Sequence, residues 1–213
     1  MAENRWSNYE IMQSQMAVAF LSYDQEKMRQ NFGLDRDDTF LYMDFVGRNY
    51  RIDRKTGVVM WQGADVWHMA DYNEAMTIYD VLCYGKQGCK AAGKMVNLAN
   101  LSAIKGGSLQ KSGGFFKDSG KFFTGKAEKL AVAYEKLGGV ADGVGDVGYA
   151  LQMFPFLPVA VHFWDADEDF PASLQILVDA NILDFMHYET VMFAVGHMIE
   201  RLKQVSLEVS KGD

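Results

Sequence analysis

Apolar side chains near the start of the chain recur every three or four residues, which is the spacing of one helix face. Over residues 4–21 this pattern predicts a helix, and its apolar stripe consists of Tyr9, Met12, Met16, Ala19 and Tyr23. Asp24 belongs to the residue types that cap helix starts, and Gly33 to those that end helices. A second helix is therefore expected between them, which gives N-terminal helices over residues 4–32.

The next segment, residues 39–62, changes to an alternation of apolar and polar positions interrupted by turn residues. Three short runs show the two-residue period of a strand: Thr39–Val46, Tyr50–Asp53 and Val58–Trp61. Strands that follow one another closely along a chain usually pair. We therefore expect an antiparallel meander over residues 39–62.

Helical spacing returns in three later segments, residues 69–84, 126–137 and 188–205. Asp71 is placed to cap the first of these helices. In the last one, His197 shares a face with Thr190 and Arg201, and we expect that face to be exposed. The opposite, buried stripe is predicted to contain Tyr188, Met192, Val195, Ile199 and Leu202.

The segment between the helices, residues 85–125, is rich in Gly, Lys and Ser, with Phe115–Phe116 and Phe122–Phe123 inserted. Two stretches, Gly88–Lys94 and Gly120–Lys126, have the glycines and lysine of a phosphate-binding loop. Each continues with Met95 or Ala127 where that motif needs Ser or Thr for magnesium, so we reject an ordinary nucleotide-binding loop. A long solvated loop and a basic lid over an anionic ligand remain open interpretations.

Residues 145–181 contain all three prolines of the chain and its densest group of carboxylates. Val159–Trp164 is apolar and β-rich, which predicts a strand that is central in its sheet. Ser173–Val178 is apolar again and predicts the returning strand of a hairpin. In such a hairpin, Asp179 lies away from the acidic turn that joins the strands.

That turn, Asp165–Asp169, contains four carboxylates: Asp165, Asp167, Glu168 and Asp169. Three of them have the spacing of the first ligands of a calcium-binding loop. The glycine and glutamate that such a loop requires are replaced by Phe170 and Ile176, which argues against a standard helix-loop-helix calcium site. A looser oxygen-ligand metal site remains an alternative to a solvated turn.

The order of residues in this region resembles the bacterial and archaeal family named Domain of Unknown Function 3786. The similar residues are Gly145–Asp146, Phe154–Pro155, Pro158, Trp164, Asp167–Ala172 and Leu177–Asp179. The resemblance is strongest over residues 138–204 and weaker over residues 39–60. The family usually has Glu at Asp169, Phe at Val178 and a basic residue at Phe156.

This resemblance implies a soluble domain that is associated mostly with anaerobes. In some relatives it is joined to a cysteine-rich iron–sulfur segment like those of corrinoid methyl-transfer proteins. Because this chain has only two cysteines, such a role would need a partner protein.

The composition narrows the classes of function. The chain has 213 residues, 49% of them hydrophobic, and a net charge of −7, so nucleic acid and anionic membranes are disfavoured partners. We see neither a membrane span nor a signal peptide. Cys83 and Cys89 lack zinc-site spacing, and we expect free thiols in a reducing cytoplasm, with a redox disulfide as the alternative.

Candidate ligand-binding residues are the aromatic side chains around Gly63 and the end of the central strand: Trp61, Trp67, His162 and Trp164. Trp61, Trp67 and His68 suggest an aromatic wall for a flat ligand, although ordinary packing also explains them. A buried His162 beside the acidic turn could act as a base, but more often such a residue is a hydrogen-bonded core residue. The four histidines are scattered and there is no G-x-S-x-G sequence, so no catalytic set is evident.

These patterns predict a single α+β domain over residues 1–213, in which one antiparallel or mixed sheet, from the meander and the hairpin, is covered by helices. We expect a non-catalytic module that binds a protein partner or a small ligand, linked to one-carbon or corrinoid metabolism by resemblance alone. The alternative is an enzyme or metal-dependent ligand binder that uses the acidic turn. The sequence indicates neither a cofactor nor an oligomeric state.

Overall fold

The computed structural model describes residues 7–101 and 116–209. These residues divide into two compact units. The first unit contains residues 7–44, 48–89 and 184–194, and the second contains 45–47, 90–101, 116–183 and 195–209. Both combine helices with an antiparallel sheet, which confirms the α+β class.

The first unit contains most of the predicted N-terminal helices and the meander. Its helices are α1 (Asn8–Phe20), α2 (Gln25–Phe32) and α3 (Tyr72–Tyr84). Its strands are β1 (Asp35–Arg36), β2 (Phe40–Phe45), β3 (Arg48–Asp53), β4 (Val59–Gln62) and β5 (Trp67–Met69), with Phe45 assigned to the second unit. They form a sheet in the order β1-β2-β3-β4-β5, so the predicted meander is confirmed and extended at both edges.

Local capping explains where these helices begin and end. The Asp24 carboxylate accepts hydrogen bonds from the amides of Glu26 and Lys27, and Gly33 ends α2 in the left-handed conformation at φ 64°. Asp71 caps α3 in a capping box with Glu74. The predictions for Asp24, Gly33 and Asp71 are therefore confirmed.

The predicted apolar stripe of α1 is wrong in part. Ala17 and Phe20 are buried, whereas Tyr9 and Met12 are exposed. Tyr9 lies against the ring of Tyr72 on α3, with a centroid distance of 4.9 Å. Since α1 is apolar on several faces, spacing alone does not show which face is buried. The predicted start of this helix, residues 4–6, lies outside the described residues.

The second unit is built on the central stretch. Its strands are β6 (Met95–Asn97), β7 (Val140–Ala141), β8 (Val147–Phe154), β9 (Leu157–Trp164) and β10 (Ser173–Asp179). They pair in the order β6-β10-β9-β8-β7, so β9 is the middle strand, as predicted. Helix α4 (Ala127–Lys136) packs against β8.

The expectation of one shared sheet is wrong, because the meander and the hairpin belong to two separate five-stranded sheets in the described residues. The edge strands that complete the second sheet, β6 and β7, have only three and two residues. Strands this short leave too little periodicity to be recognised from sequence.

The glycine- and lysine-rich segment is more regular than a solvated loop. It contributes β6 and two 3-10 segments, Leu98–Asn100 and Lys117–Phe123. The predicted segment also includes residues 102–115, with Phe115, which lie outside the described part of the chain. Its interpretation as a lid therefore stays a prediction.

The chain continues through the short helix α5 (Ile182–Phe185) and the long helix α6 (Tyr188–Val209). The expected exposure of His197 is wrong: it is 7% exposed and stacks on Phe45 at a centroid distance of 4.7 Å. Apolar residues line more of α6 than one stripe, so its buried surface is wider than predicted. Among the described residues, no helix is long and apolar enough to cross a membrane.

A two-residue turn, Val46–Gly47, joins β2 to β3, and both residues have positive φ, 47° and 63°. Positive φ is common for glycine and rare for a β-branched residue such as valine. Val46 is buried, and its amide donates to the carbonyl of Met153 at 2.9 Å. Burial and this hydrogen bond hold the residue in an unfavourable backbone conformation.

Candidate functional site

The predicted acidic turn lies at the end of β9, where Asp165 is half-buried and residues 166–169 are exposed. Its tip is an Asx turn, in which the Asp167 carboxylate accepts hydrogen bonds from the amides of Asp169 at 2.9 Å and Phe170 at 2.7 Å. One oxygen of Asp167 is thus used to fix the backbone of the turn itself.

Asp165 anchors the base of the same turn. Its carboxylate accepts from the amide of Gly125, with both oxygens at 3.0 Å. Its own amide donates to the carboxylate of Asp146 at 2.7 Å. Asp165 therefore connects the turn to the start of α4 and to the segment that precedes β8.

A second acidic loop, residues 142–146, lies at the same end of the sheet. It connects β7 to β8, and the pairing of Val147 with Phe163 places it beside the end of β9. Together the two loops form what we call the acidic end: Asp142, Asp146, Asp165, Asp167, Glu168 and Asp169. Sequence reasoning missed Asp142, although the Asp-Gly-Val-Gly-Asp spacing of the loop signals a tight acidic turn.

Asp142 contacts the one histidine of the central strand. Its Oδ2 lies 2.7 Å from Nε2 of His162, which is 6% exposed, so the expected burial of this histidine is observed. Between them stands Gly148, which pairs directly with His162. A Cβ atom at Gly148 would lie 2.4 Å from the Asp142 carboxylate and 2.1 Å from the Val144 carbonyl, so glycine is needed for this contact.

The other ring nitrogen of His162, Nδ1, has no hydrogen-bond partner among residues 7–101 and 116–209. Trp164 stands edge-on to the imidazole at a centroid distance of 6.1 Å, and it is 37% exposed. The predicted pair His162 and Trp164 is therefore adjacent, with the histidine inside and the tryptophan at the surface.

The acidic end does not form a preorganised metal centre. Within the described residues, no group of three or more His, Cys, Asp or Glu side chains is placed to hold a metal ion. Asp165 and Asp167 use carboxylate oxygens to fix backbone amides of separate turns. Metal binding by Asp165, Asp167, Glu168 and Asp169 stays a prediction, and it would need these turns to rearrange.

The two tryptophans predicted to form an aromatic wall lie in the first unit, on opposite faces of its sheet. Trp61 pairs with His68 across β4 and β5, and Trp67 pairs with the next residue, Gln62. Because successive side chains of a strand alternate between faces, Trp61 and Trp67 cannot line one surface. The prediction that Trp61 and Trp67 form one aromatic wall is therefore wrong.

Each tryptophan is covered by an arginine. The guanidinium of Arg48 lies 3.9 Å from the centre of Trp61, and the ring of His68 stacks on Trp61 at a centroid distance of 4.3 Å. Arg51 lies 4.2 Å from the centre of Trp67. Arg48 therefore occupies one face of Trp61, and Arg51 occupies one face of Trp67.

The first unit also contains a histidine–carboxylate pair that sequence reasoning missed. Asp80, buried on α3, accepts from the backbone amide of His187 at 2.7 Å and contacts its Nδ1 at 2.6 Å. The His187 side chain is 63% exposed. The two residues are 107 positions apart, so no local spacing indicates the pair.

Both cysteines are free thiols in the structure. Burial raises the pKa of Cys83 to about 12, and the negative charge of Asp80 acts in the same direction. Burial, and then the charge of Asp184, also raise the pKa of Cys89. Neither residue is a thiolate at neutral pH, and this argues against a cysteine nucleophile.

Comparison with protein families matches residues 24–201 to a domain of unknown function (DUF3786). The chain belongs to the DUF3786 family. No curated protein and no solved structure matches the chain significantly. The DUF3786 match begins at α2 and includes the whole acidic end, whereas α1 precedes it.

Several residues that carry the DUF3786 resemblance hold backbone in place. Gly145 has φ 73°, and a Cβ atom there would lie 2.6 Å from the carbonyl of Phe163. Asp179, fully buried, accepts from the amides of Ala92, Gly93 and Asn181 at 2.8 to 2.9 Å. It lies at the other end of β10 from the acidic turn, as the hairpin predicted.

Proposed function

We propose that this DUF3786 protein is a non-catalytic binding module whose acidic end docks a basic surface of a protein partner. One observation carries the proposal. Two loops gather six carboxylates beside the exposed Trp164, and among the described residues none of the six forms a salt bridge with Lys or Arg.

Electrostatics favours a cationic partner at this end. The chain has a net charge of −7, and a cluster of like charges concentrates the field there. Such a field speeds association with a positively charged surface and repels nucleic acid and anionic membranes. An exposed tryptophan beside carboxylates adds an attractive face for a Lys or Arg side chain.

The chemistry of the same residues favours binding over catalysis. The His162 ring is buried, so its contact with Asp142 serves to fix the loop 142–146 rather than to reach a substrate. Both thiols are protonated at neutral pH, which removes the strongest nucleophiles of the chain. Metal-dependent ligand binding at the acidic turn is the competing proposal.

A lysine oligopeptide and a panel of divalent metals test the two proposals. The variant Asp167→Asn/Asp169→Asn removes two charges, and Asn at 167 still offers an oxygen to the amides of the turn. The control Asp38→Asn/Asp65→Asn removes the same charge from exposed positions of the first unit. We expect the peptide to bind the wild type and the control several-fold more tightly than the acidic-end variant at low salt.

Equal affinity for both variants would show attraction to net charge alone and would overturn the proposal. Stabilisation of the wild type by a divalent metal, lost in the acidic-end variant, would favour the metal-dependent alternative instead. A ligand at about a hundred times its dissociation constant adds roughly 2.7 kcal/mol, which a thermal-shift measurement detects.

The link to corrinoid or one-carbon metabolism is part of this proposal and rests on the family resemblance. In it, the basic partner would be the protein that carries the iron–sulfur or corrinoid group. The free thiols Cys83 and Cys89 suit a reducing compartment, and we propose the cytoplasm. Adding corrinoids to the same thermal-shift panel, under anaerobic conditions, checks whether this chain binds them itself.

A further inference from the structure

A cleft lies in the first unit, between α1 and the strands β4 and β5. Its volume is about 340 Å³, and every residue that lines it belongs to the first unit. Binding sites for small molecules measure about 300 to 1,000 Å³, so this cleft is at the lower end of the range. The space equals that of roughly eleven waters at about 30 Å³ each, which suits a small organic molecule.

Two contacts fix the distance between α1 and the strands. In the first, the backbone of α1 touches the turn between β3 and β4, since a Cβ atom at Gly57 would lie 2.2 Å from the carbonyl oxygen of Ala17. In the second, one turn earlier in α1, the amide of Gln13 donates to the carbonyl of Ala70 at 3.2 Å. The small side chains of Ser14, Ala17 and Ala70 line the space and leave it open. The cleft is therefore formed before a ligand arrives, which lowers the entropic cost of binding.

The floor of the cleft is apolar. Val59 and Tyr79 line it and are buried. The hydroxyl of Tyr79 donates to the carbonyl of Gly57 at 2.7 Å, so its polar atom is already paired. Met69 lines the rim and is 60% exposed, and its unbranched thioether side chain adapts to the shape of a ligand. This floor favours the apolar body of a small molecule.

The α1 side of the cleft is polar and contains a carboxylate. Among the described residues that line the cleft, Glu10 alone is charged. The amide and the hydroxyl of Ser7 donate to its Oε2 at 2.7 and 2.9 Å, and these bonds lower the pKa of Glu10, which is thus ionised at neutral pH. Its other oxygen, Oε1, accepts no hydrogen bond from residues 7–101 and 116–209. A positioned carboxylate with an unused oxygen therefore stands beside an apolar floor.

We propose that this cleft binds a small primary amine in its ammonium form. The apolar body of the amine packs on Val59 and Tyr79, and its ammonium group donates to Oε1 of Glu10. An ammonium group carries three donors and no acceptor, which matches a carboxylate oxygen that has no donor. A carboxylate or phosphate ligand of the same size would be repelled by Glu10, and the net charge of −7 adds to that repulsion.

The two parts of the cleft contribute differently to binding. Glu10 is exposed to solvent, where an ion pair gains little energy because water screens the charges. The buried apolar floor therefore provides most of the affinity, and the carboxylate provides selectivity for a cation over a neutral or anionic molecule of the same shape. We expect millimolar affinity for a very small amine.

Three probes with a similar alkyl body test the selectivity: hexylamine, hexanol and hexanoate. Titration of each into the wild type, followed by NMR, should shift the backbone amide signals of Ala17, Val59 and Ala70. Hexylamine should bind about two- to five-fold more tightly than hexanol, and hexanoate should bind most weakly. Hexylamine that binds no more tightly than hexanol would overturn the proposal, and so would binding that leaves these three amide signals unchanged.

The variant Glu10→Gln isolates the charge. Glutamine serves at the same position of a capping box, so the start of α1 is retained. This variant should bind hexylamine and hexanol equally, with the affinity for hexanol unchanged. The control Asp38→Asn removes one charge from an exposed loop of the same unit and should keep the preference for hexylamine. Loss of the preference in the control, or its persistence in Glu10→Gln, would show attraction to net charge alone and overturn the proposed site.

Discussion

At the scale of single residues, the acidic end depends on Gly148, which has no side chain. Gly148 leaves room for the Asp142 carboxylate to pass over β8 and reach His162 on β9. The same space admits the carbonyl of Val144, so the loop 142–146 lies directly against the strand. Any side chain at position 148 would displace both groups.

We expect Gly148→Ala to lower the free energy of unfolding by about 2 to 3 kcal/mol, the range of overpacked sites that cannot relax. Gly196→Ala is the matched control. This glycine lies within α6, and its new Cβ would meet only an ordinary contact, Phe116 at 3.9 Å. There, alanine should raise stability by about 0.5 to 1 kcal/mol. Urea denaturation checks both, and a neutral Gly148→Ala would mean that the loop moves freely.

Sequence identified the acidic turn and the burial of His162, because both follow from residues adjacent in the chain. It did not identify Asp142, which lies 20 positions from His162 and directly follows a strand of only two residues. His197 was assigned to the wrong environment because a helix that is buried on several sides shows no single apolar stripe. Contacts between distant segments are the part of the site that local patterns do not contain.

At the scale of elements, Asp179 shows how one buried carboxylate joins a strand to a loop. It holds the amides of Ala92 and Gly93 beside the end of β10, next to the point where the Lys94 carbonyl accepts from Ala180. Three backbone donors compensate for the burial of its charge. The edge strand β6, which begins at Met95, follows directly from this anchored loop.

Asp179→Ala should lower the free energy of unfolding by about 3 kcal/mol, because it leaves buried amides without their charged acceptor. Asp179→Asn retains one oxygen but turns an amino group towards the remaining amides, so we expect roughly half that loss. Asp167→Asn serves as an exposed control and should change stability by less than about 0.5 kcal/mol. Chemical denaturation of the three variants gives their order of stability. Equal stability of Asp179→Ala and the wild type would contradict the anchoring role of Asp179.

The elements themselves were predictable where their signals are local. Helix caps such as Asp24, Asp71 and Gly33 act within one turn, and the structure confirms them. Sheet membership was not predictable, since pairing between β10 and β6 joins segments about 80 positions apart. Two separate sheets and one shared sheet have the same local pattern of strands.

At the scale of the whole molecule, ionisation of buried groups limits the range of pH over which the fold is stable. Burial raises the pKa of Cys83 to about 12, and burial also raises the pKa of Tyr50, Tyr79 and Tyr134. A group whose pKa is raised in the folded state stabilises the fold below its unfolded pKa. That contribution is lost as pH rises towards the folded value.

We therefore expect the free energy of unfolding to be constant from neutral pH to about pH 8 and to fall above it, as the unfolded thiols and then the phenols ionise. Each such group contributes a slope of at most about 1.4 kcal/mol per pH unit. Urea denaturation between pH 8 and pH 11 measures the slope. The measured slope divided by the slope of one group gives the number of buried groups that ionise. Cys83→Ser should make the fall shallower, and an unchanged slope would contradict burial of the thiol.

The single domain over residues 1–213 stays a prediction. The chain divides into two compact units, but β2 and α6 each contain residues of both. Neither unit is a continuous segment of sequence, so a boundary in the chain cannot be read from composition or linkers. Only the pattern of contacts between distant residues defines the units.

The turn at Val46–Gly47 has a consequence for the order of folding. A hairpin closed by a favourable turn can form early and by itself, within microseconds. Here the first turn residue is a valine at φ 47°, so closing the isolated hairpin of β2 and β3 has a free-energy cost. The acceptor of the compensating hydrogen bond is the carbonyl of Met153, more than a hundred residues later in the chain. The β2–β3 turn should therefore form late, after β8 is in place, and mutations in this turn should change the unfolding rate more than the folding rate.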